Sequence, residues 1–127
     1  MNKLILIVDD EPMIRHLLQY LLSMEGFQVA EACDGMEALD KVEQERPDLV
    51  LLDYMMPNLD GLATCKHLRS QPETANLPII MLSANAIPSV IKASEQAGVN
   101  RFLDKSGNIS HILTEHINDV LGNQLYH

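Results

Sequence analysis

The 127-residue sequence predicts an α/β fold, a doubly wound parallel sheet with helices on both faces. Three observations predict it. The runs LILIV (4–8), LVLL (49–52) and LPIIML (77–82) have strand length but no polar alternation, the pattern of strands buried on both sides. Segments of helical period lie between and after them. The connections are short, and alternating strands and helices joined in this way form right-handed crossovers.

The elements follow in order as strand then helix, five times. After the first run, EPMIRHLLQYLLSMEG has Pro12 in its first turn, Ile14, Leu17, Leu18, Leu21 and Leu22 on one face, and Gly26 as its stop. FQVAEA (27–32) is a weaker strand. DGMEALDKVEQERP begins after Asp34-Gly35 and offers Ala38, Leu39 and Val42 to a core; it leads into the LVLL strand. DGLATCKHLRS offers Leu62, Cys65 and Leu68 before the LPIIML strand. AIPSVIKASEQAG carries Pro88 near its start and Gly98 at its end, RFL (101–103) is a short fifth strand, and NISHILTEHINDVLG presents Ile109, Ile112, Leu113, Ile117, Val120 and Leu121. One domain over 1–122 with a tail at 123–127 is expected.

Composition narrows the function. Nine Lys and Arg against 18 Asp and Glu give a formal charge of -9, which repels a phosphate backbone and argues against direct nucleic-acid binding. A cationic partner or a metal suits such a chain better. Only five consecutive apolar residues, Leu4 to Val8, precede Asp9-Asp10, too few for a signal-peptide core or a membrane span, so a cytoplasmic protein with no membrane partner is expected. Cys33 and Cys65 have no CxxC and no His at metal-ligand spacing and read as reduced thiols filling space. His16 and His67 fall on helices outside any four-helix pattern and read as surface or interface residues.

In an open α/β sheet, ligands bind at the carboxyl ends of the strands. The residues there are Asp9, Asp10 and Glu11, then Asp53, Ser83 and Lys105. If the first and third strands are neighbours, Asp9, Asp10 and Asp53 crowd together and raise one another's pKa. A hard divalent cation, Mg²⁺ rather than zinc, answers such an all-oxygen set. A carboxylate facing a phosphoryl group can act as nucleophile, and phosphoryl transfer then asks mainly for alignment and charge neutralisation, which Lys105 and a metal supply. Taken singly, each residue reads as a helix cap or surface charge.

Together, ILIVDDEP, LLDYMMPNLDG, PIIMLSA and RFLDKS resemble the receiver domain of two-component response regulators, in that family's order and over essentially the whole chain. The resemblance implies a flavodoxin-like five-stranded sheet of order 2-1-3-4-5. It implies that Asp53 accepts a phosphoryl group from a histidine kinase or phosphotransfer protein, with self-phosphorylation and self-dephosphorylation as the only turnover. Asp10, Asp53 and the backbone carbonyl of Met55 would hold Mg²⁺, with Asp9 helping directly or through water. Ser83 and Lys105 would engage the phosphoryl group, and Phe102 would occupy the aromatic switch position. Phosphorylation would then alter a target-binding face made by the fourth helix, fifth strand and fifth helix, where Ile91, Glu95 and His111 are candidates.

The sequence departs from the family at one point. Proline usually follows the lysine, often in a cis peptide, whereas Lys105 is followed by Ser106-Gly107. A non-proline cis bond costs about 3–4 kcal/mol, so this bond is either trans or held under strain, and Gly107 would give the loop its freedom. Two other functions compete. A pseudo-receiver serving only as a scaffold has no need of the acidic set, Ser83 and Lys105 together. A phosphatase with an Asp nucleophile would resemble DxDx[TV], but Tyr54-Met55-Met56 follows Asp53.

Overall fold

The computed structural model describes residues 2–106 and 109–125. Gly107, to which the sequence assigns loop freedom, lies outside them. The chain runs β1 (Leu4–Val8), α1 (Pro12–Met24), β2 (Gln28–Ala32), α2 (Gly35–Glu45), β3 (Leu49–Asp53), α3 (Gly61–Ser70), β4 (Ile79–Ser83), α4 (Pro88–Ala97), β5 (Arg101–Asp104) and α5 (Ile109–Leu125). All strand pairs are parallel, in the order β2-β1-β3-β4-β5, as expected. The three strong apolar runs are the three central strands.

Their lack of alternation has a direct cause. Successive side chains of a strand point to opposite faces, and here both faces are covered. Ile5, Ile7, Leu49, Leu51, Ile80 and Leu82 pack with Leu18 and Leu22 of α1 and Leu113, Ile117, Val120 and Leu121 of α5. Leu6, Val8, Val50, Leu52, Ile79 and Met81 pack with Ala38 and Val42 of α2, Cys65 and Leu68 of α3, and Ala97 of α4. The edge strands are more exposed, which is why β2 reads as a weaker strand.

Two apolar helix residues are not where the periodicity puts them. Leu17 is 49% exposed and Ile112 is 40% exposed. The buried arc of α1 centres on Leu18 and Leu22, and Leu17 sits about 100° around the helix from Leu18, outside that arc. In α5 the arc centres on Leu113 and Ile117, and Ile112 is displaced in the same way. Cys65 is buried, but Cys33, just past the edge strand β2, is exposed rather than filling space.

Helix starts and stops follow local chemistry. Asp34 and Asp60 cap α2 and α3 by accepting from the N–H groups of Glu37 and Ala63, each at 2.8 Å. Pro88 opens α4, and α4 ends on Gly98 at φ +105, where a residue without a Cβ is favoured. Gly61 matters most for the site. A Cβ there would collide with the carbonyl oxygen of Asp53 and press on Cα of Tyr54, so only glycine lets α3 start against the end of β3. Gly61→Ala is expected to destabilise the fold by about 2–3 kcal/mol, read from urea midpoints, because backbone must shift to admit the methyl group.

Candidate functional site

The sheet register assembles the site. Val8 pairs with Leu52, so Asp9 follows one strand and Asp53 ends its neighbour at the same level. Asp53 pairs with Leu82, and Ser83 pairs with Asp104, which brings Lys105 to the same end of the sheet. The Lys105 N–H donates to the Ser83 carbonyl at 2.9 Å, extending the β4–β5 ladder by one residue. No peptide bond among the described residues is cis, so the Lys105–Ser106 bond is trans. The missing proline does not misdirect the lysine.

Lys105 Nζ lies 2.7 Å from Asp9 Oδ2, 3.4 Å from Asp53 Oδ1 and 4.0 Å from Glu11 Oε1. Asp9 and Asp53 are buried, and Asp10 is exposed at the mouth. One oxygen from each of Asp9, Asp10 and Asp53 falls within 4.8 Å of the others. Three carboxylates against one ammonium leave two negative charges in excess when all are ionised. Burial first, and then the charge of Asp9, push Asp53 up to about 6, with the Lys105 cation opposing and Asp10 adding to the rise. Burial pulls Lys105 down, but its contacts with Asp9 and Asp53 outweigh that and hold it above its ordinary value.

The donor set fits a divalent cation. Asp9 Oδ1 accepts from the Glu11 N–H at 2.9 Å, whereas Asp9 Oδ2 is sealed from solvent and, among the described residues, is met by no backbone or neutral side-chain donor. The Lys105 ammonium, 2.7 Å away, is the cation paired with that oxygen. A buried carboxylate oxygen beside two further carboxylates could serve as a ligand to a hard metal ion.

The other expected residues are less tightly gathered. Ser83 is buried, and its hydroxyl accepts from the Asn85 N–H at 3.0 Å, holding the start of the β4–α4 loop. Met55, in the loop after β3, has an exposed side chain. Phe102 is half-buried and packs against the core beneath α2, α3 and α4. Ile91 is half-buried and Glu95 exposed on α4, while the His111 side chain lies outside the described residues.

Sequence reading missed Arg15. Its Nη1 donates to the Asp9 carbonyl at 2.6 Å and its Nε pairs with Glu31 Oε1 at 3.3 Å, so α1 and β2 together brace the backbone under Asp9. Arg15 is the one charged side chain within α1, at an inward-leaning position, and that is the signal that could have found it.

Comparison with known proteins agrees with this geometry. A family model described as the response regulator receiver domain matches residues 5–117. The chain is 55% identical over 84 residues to the alkaline phosphatase synthesis transcriptional regulatory protein PhoP of Bacillus subtilis, covering 66% of this chain and 34% of that protein. It is 42% identical over 113 residues to the response regulator MprA of Mycobacterium bovis, covering 89% of this chain and 48% of that protein. The chain thus spans half or less of the length of these relatives. Among solved structures, the receiver domain of the sensor histidine kinase PA1611 from Pseudomonas aeruginosa is 30% identical, with a TM-score of 0.87 over 96% of this chain and 99% of that one; its active-site cleft holds a magnesium ion. On its sequence and its sheet order alike, the chain belongs to the response regulator receiver domain family of two-component signalling.

Proposed function

We propose that Asp53 accepts a phosphoryl group from a phosphohistidine of a sensor kinase or phosphotransfer protein. The observation that carries this reading is the buried Asp53 carboxylate held 3.4 Å from the Lys105 ammonium with two further carboxylates beside it. In the transfer, an Asp53 carboxylate oxygen forms a bond to phosphorus as the phosphorus–nitrogen bond of the donor histidine breaks. Asp9, Asp10 and Asp53, with the Met55 carbonyl, would hold Mg²⁺, which supplies charge neutralisation on the phosphoryl oxygens when bound. Lys105 neutralises further charge, and the Ser83 hydroxyl exchanges the Asn85 N–H for a phosphoryl oxygen. That exchange frees space beside β4 and β5 into which Phe102 turns, biasing the face of α4, β5 and α5 toward its target.

The chain has no separate turnover substrate on this reading and works in the cytoplasm through protein partners, without binding nucleic acid itself. Among the described residues no helix is long and apolar enough to cross a membrane. The scaffold alternative is disfavoured because the acids and Lys105 meet in one crevice instead of scattering as surface charge. The test is the backbone NMR spectrum with Mg²⁺ and beryllofluoride, a phosphoryl mimic. Shifts around Asp53 and Ser83, lost in Asp53→Ala, are expected; an unchanged spectrum of the intact protein rejects the proposal.

A donor protein must reach the crevice mouth, and α1 offers it a landing face. Met13, Leu17, Tyr20 and Met24 are 84%, 49%, 61% and 67% exposed and follow one another at spacings of four, three and four, an uncharged stripe that starts three residues after Asp10. Leu17→Lys with Tyr20→Lys is expected to slow transfer from a phosphohistidine donor protein about tenfold or more, the equivalent of losing one good apolar contact. Phosphorylation by acetyl phosphate, which needs no docking face, should keep its rate in the same variant.

A further inference from the structure

Helix α4 is held very differently at its two ends. At its C-terminal end, the Arg69 side chain of α3 lies flat on Gly98, where an added Cβ would meet its Nε at 3.0 Å and its Cγ at 3.1 Å. The Arg69 guanidinium donates to three acceptors: the Gly98 carbonyl at 2.9 Å, the Thr74 carbonyl at 3.1 Å and Asn100 Oδ1 at 3.2 Å. Asn100 Oδ1 also accepts from the first N–H of β4, that of Ile79, at 2.9 Å. Beside this, the buried Cys65 thiol donates to the Ala97 carbonyl at 3.3 Å. Arg69 forms no ion pair among the described residues; its guanidinium is held by carbonyl and amide oxygens of two segments, the α3–β4 connection at Thr74 and the α4–β5 connection at Gly98 and Asn100.

Among the described residues the N-terminal end has nothing comparable. Ile87 sits at the N-cap without a side-chain cap and is 47% exposed; Pro88 and Ser89 are exposed too, and Val90 is the first buried residue. The hydrogen bond that restrains the preceding loop runs from the Asn85 N–H to the Ser83 hydroxyl, at 3.0 Å. That hydroxyl is the group which, on the function proposed above, turns to a phosphoryl oxygen.

We infer that α4 is a lever pinned at its C-terminal end by Arg69 and Cys65, so that phosphorylation at Asp53 swings its N-terminal turn while the Ala97–Gly98 end stays in place. The helix is ten residues long, about 15 Å from end to end, enough to turn a small release at Ser83 into a graded displacement along its exposed face. Arg69 is a positioning residue: it touches neither the acids nor the phosphoryl group and acts by fixing the pivot. This inference rests on the phosphoacceptor reading, and its test separates the two.

The test compares backbone amide shifts along α4 with and without Mg²⁺ and beryllofluoride. In the intact chain the shifts at residues 87–91 should be several-fold larger than those at 95–99. In Arg69→Met the change should spread into 95–99, and Arg69→Lys, which keeps one donor for the Gly98 carbonyl, should fall between. A variant that merely loosened the fold would show altered shifts without beryllofluoride and no new spread on adding it. If Arg69→Met does not fold, Cys65→Ala removes only the thiol donor and should give the same spread to a smaller degree. Equal shifts along the whole of α4 in the intact chain, or an unchanged gradient in the folded Arg69 variants, overturn the lever while leaving the phosphoacceptor reading in place. Absence of any shift, at Asp53 and Ser83 as well as at α4, overturns both.

Discussion

Asp53→Asn is expected to stabilise the metal-free protein at neutral pH by on the order of 2–3 kcal/mol and to lose that advantage below about pH 4. The sign follows from the direction of the shift. Asp53 is raised from its ordinary 3.8 to about 6, first by burial and then by Asp9. Between those values the unfolded chain has released its proton and the folded chain still holds it, so stability falls as pH rises through the window. Below it both states are protonated and the penalty is absent; above it the penalty is complete. Asparagine carries no charge to bury, and its small loss is the contact with Lys105 Nζ at 3.4 Å. Urea unfolding in EDTA at pH 4 and at pH 7.5 measures the difference directly. A variant less stable than the parent at both values would show that the acids are not in conflict. Adding Mg²⁺ should reverse the order at pH 7.5, because a ligand that binds only the folded acids stabilises the parent and not the variant. That gain should shrink as the pH falls below about 6 and protons compete for Asp53.

Lys105→Met is expected to slow phosphorylation by acetyl phosphate about 10²–10³-fold, the usual consequence of removing one preorganised donor from a developing anion. The same change should tighten Mg²⁺ binding. Lys105 is the ammonium that faces both Asp9 and Asp53, and without it the crevice holds three carboxylates unopposed. The two effects have opposite directions, which separates this variant from one that is simply misfolded. Phosphorylation rates within a few-fold of the parent would mean that Lys105 serves only to balance charge in the resting state.

Much of this was legible in the sequence, and for physical reasons. LILIV, LVLL and LPIIML announce strands buried on both faces because a parallel sheet under two helical layers leaves no position for a polar residue until the strand ends. Asp9, Asp53 and Ser83 therefore stand out as the polar residues that end apolar runs, and Asp10 and Lys105 stand within two residues of a strand end. What stayed hidden depends on contacts between distant residues. Leu17 and Ile112 belong to leucine- and isoleucine-rich helices whose buried arcs are set by the neighbouring layer, not by the helix alone. Arg15 braces the carbonyl of Asp9 and Arg69 pins Gly98, and an arginine on an amphipathic helix looks the same whether it faces water or a carbonyl. The direction of Lys105 could be read only from the trans peptide that follows it and from the ladder bond to Ser83.

On the function proposed above, Asp53 is the phosphoacceptor. The most direct measurement is the intact mass of the protein incubated with acetyl phosphate and Mg²⁺, followed by borohydride reduction, which converts an aspartyl phosphate to homoserine, and by peptide sequencing. One added phosphoryl group, dependent on Mg²⁺, with homoserine at position 53 and no addition to Asp53→Asn, is the predicted result. No added mass under conditions where Mg²⁺ stabilises the fold, or a phosphoryl group found at Asp9, Asp10 or a histidine, would contradict it.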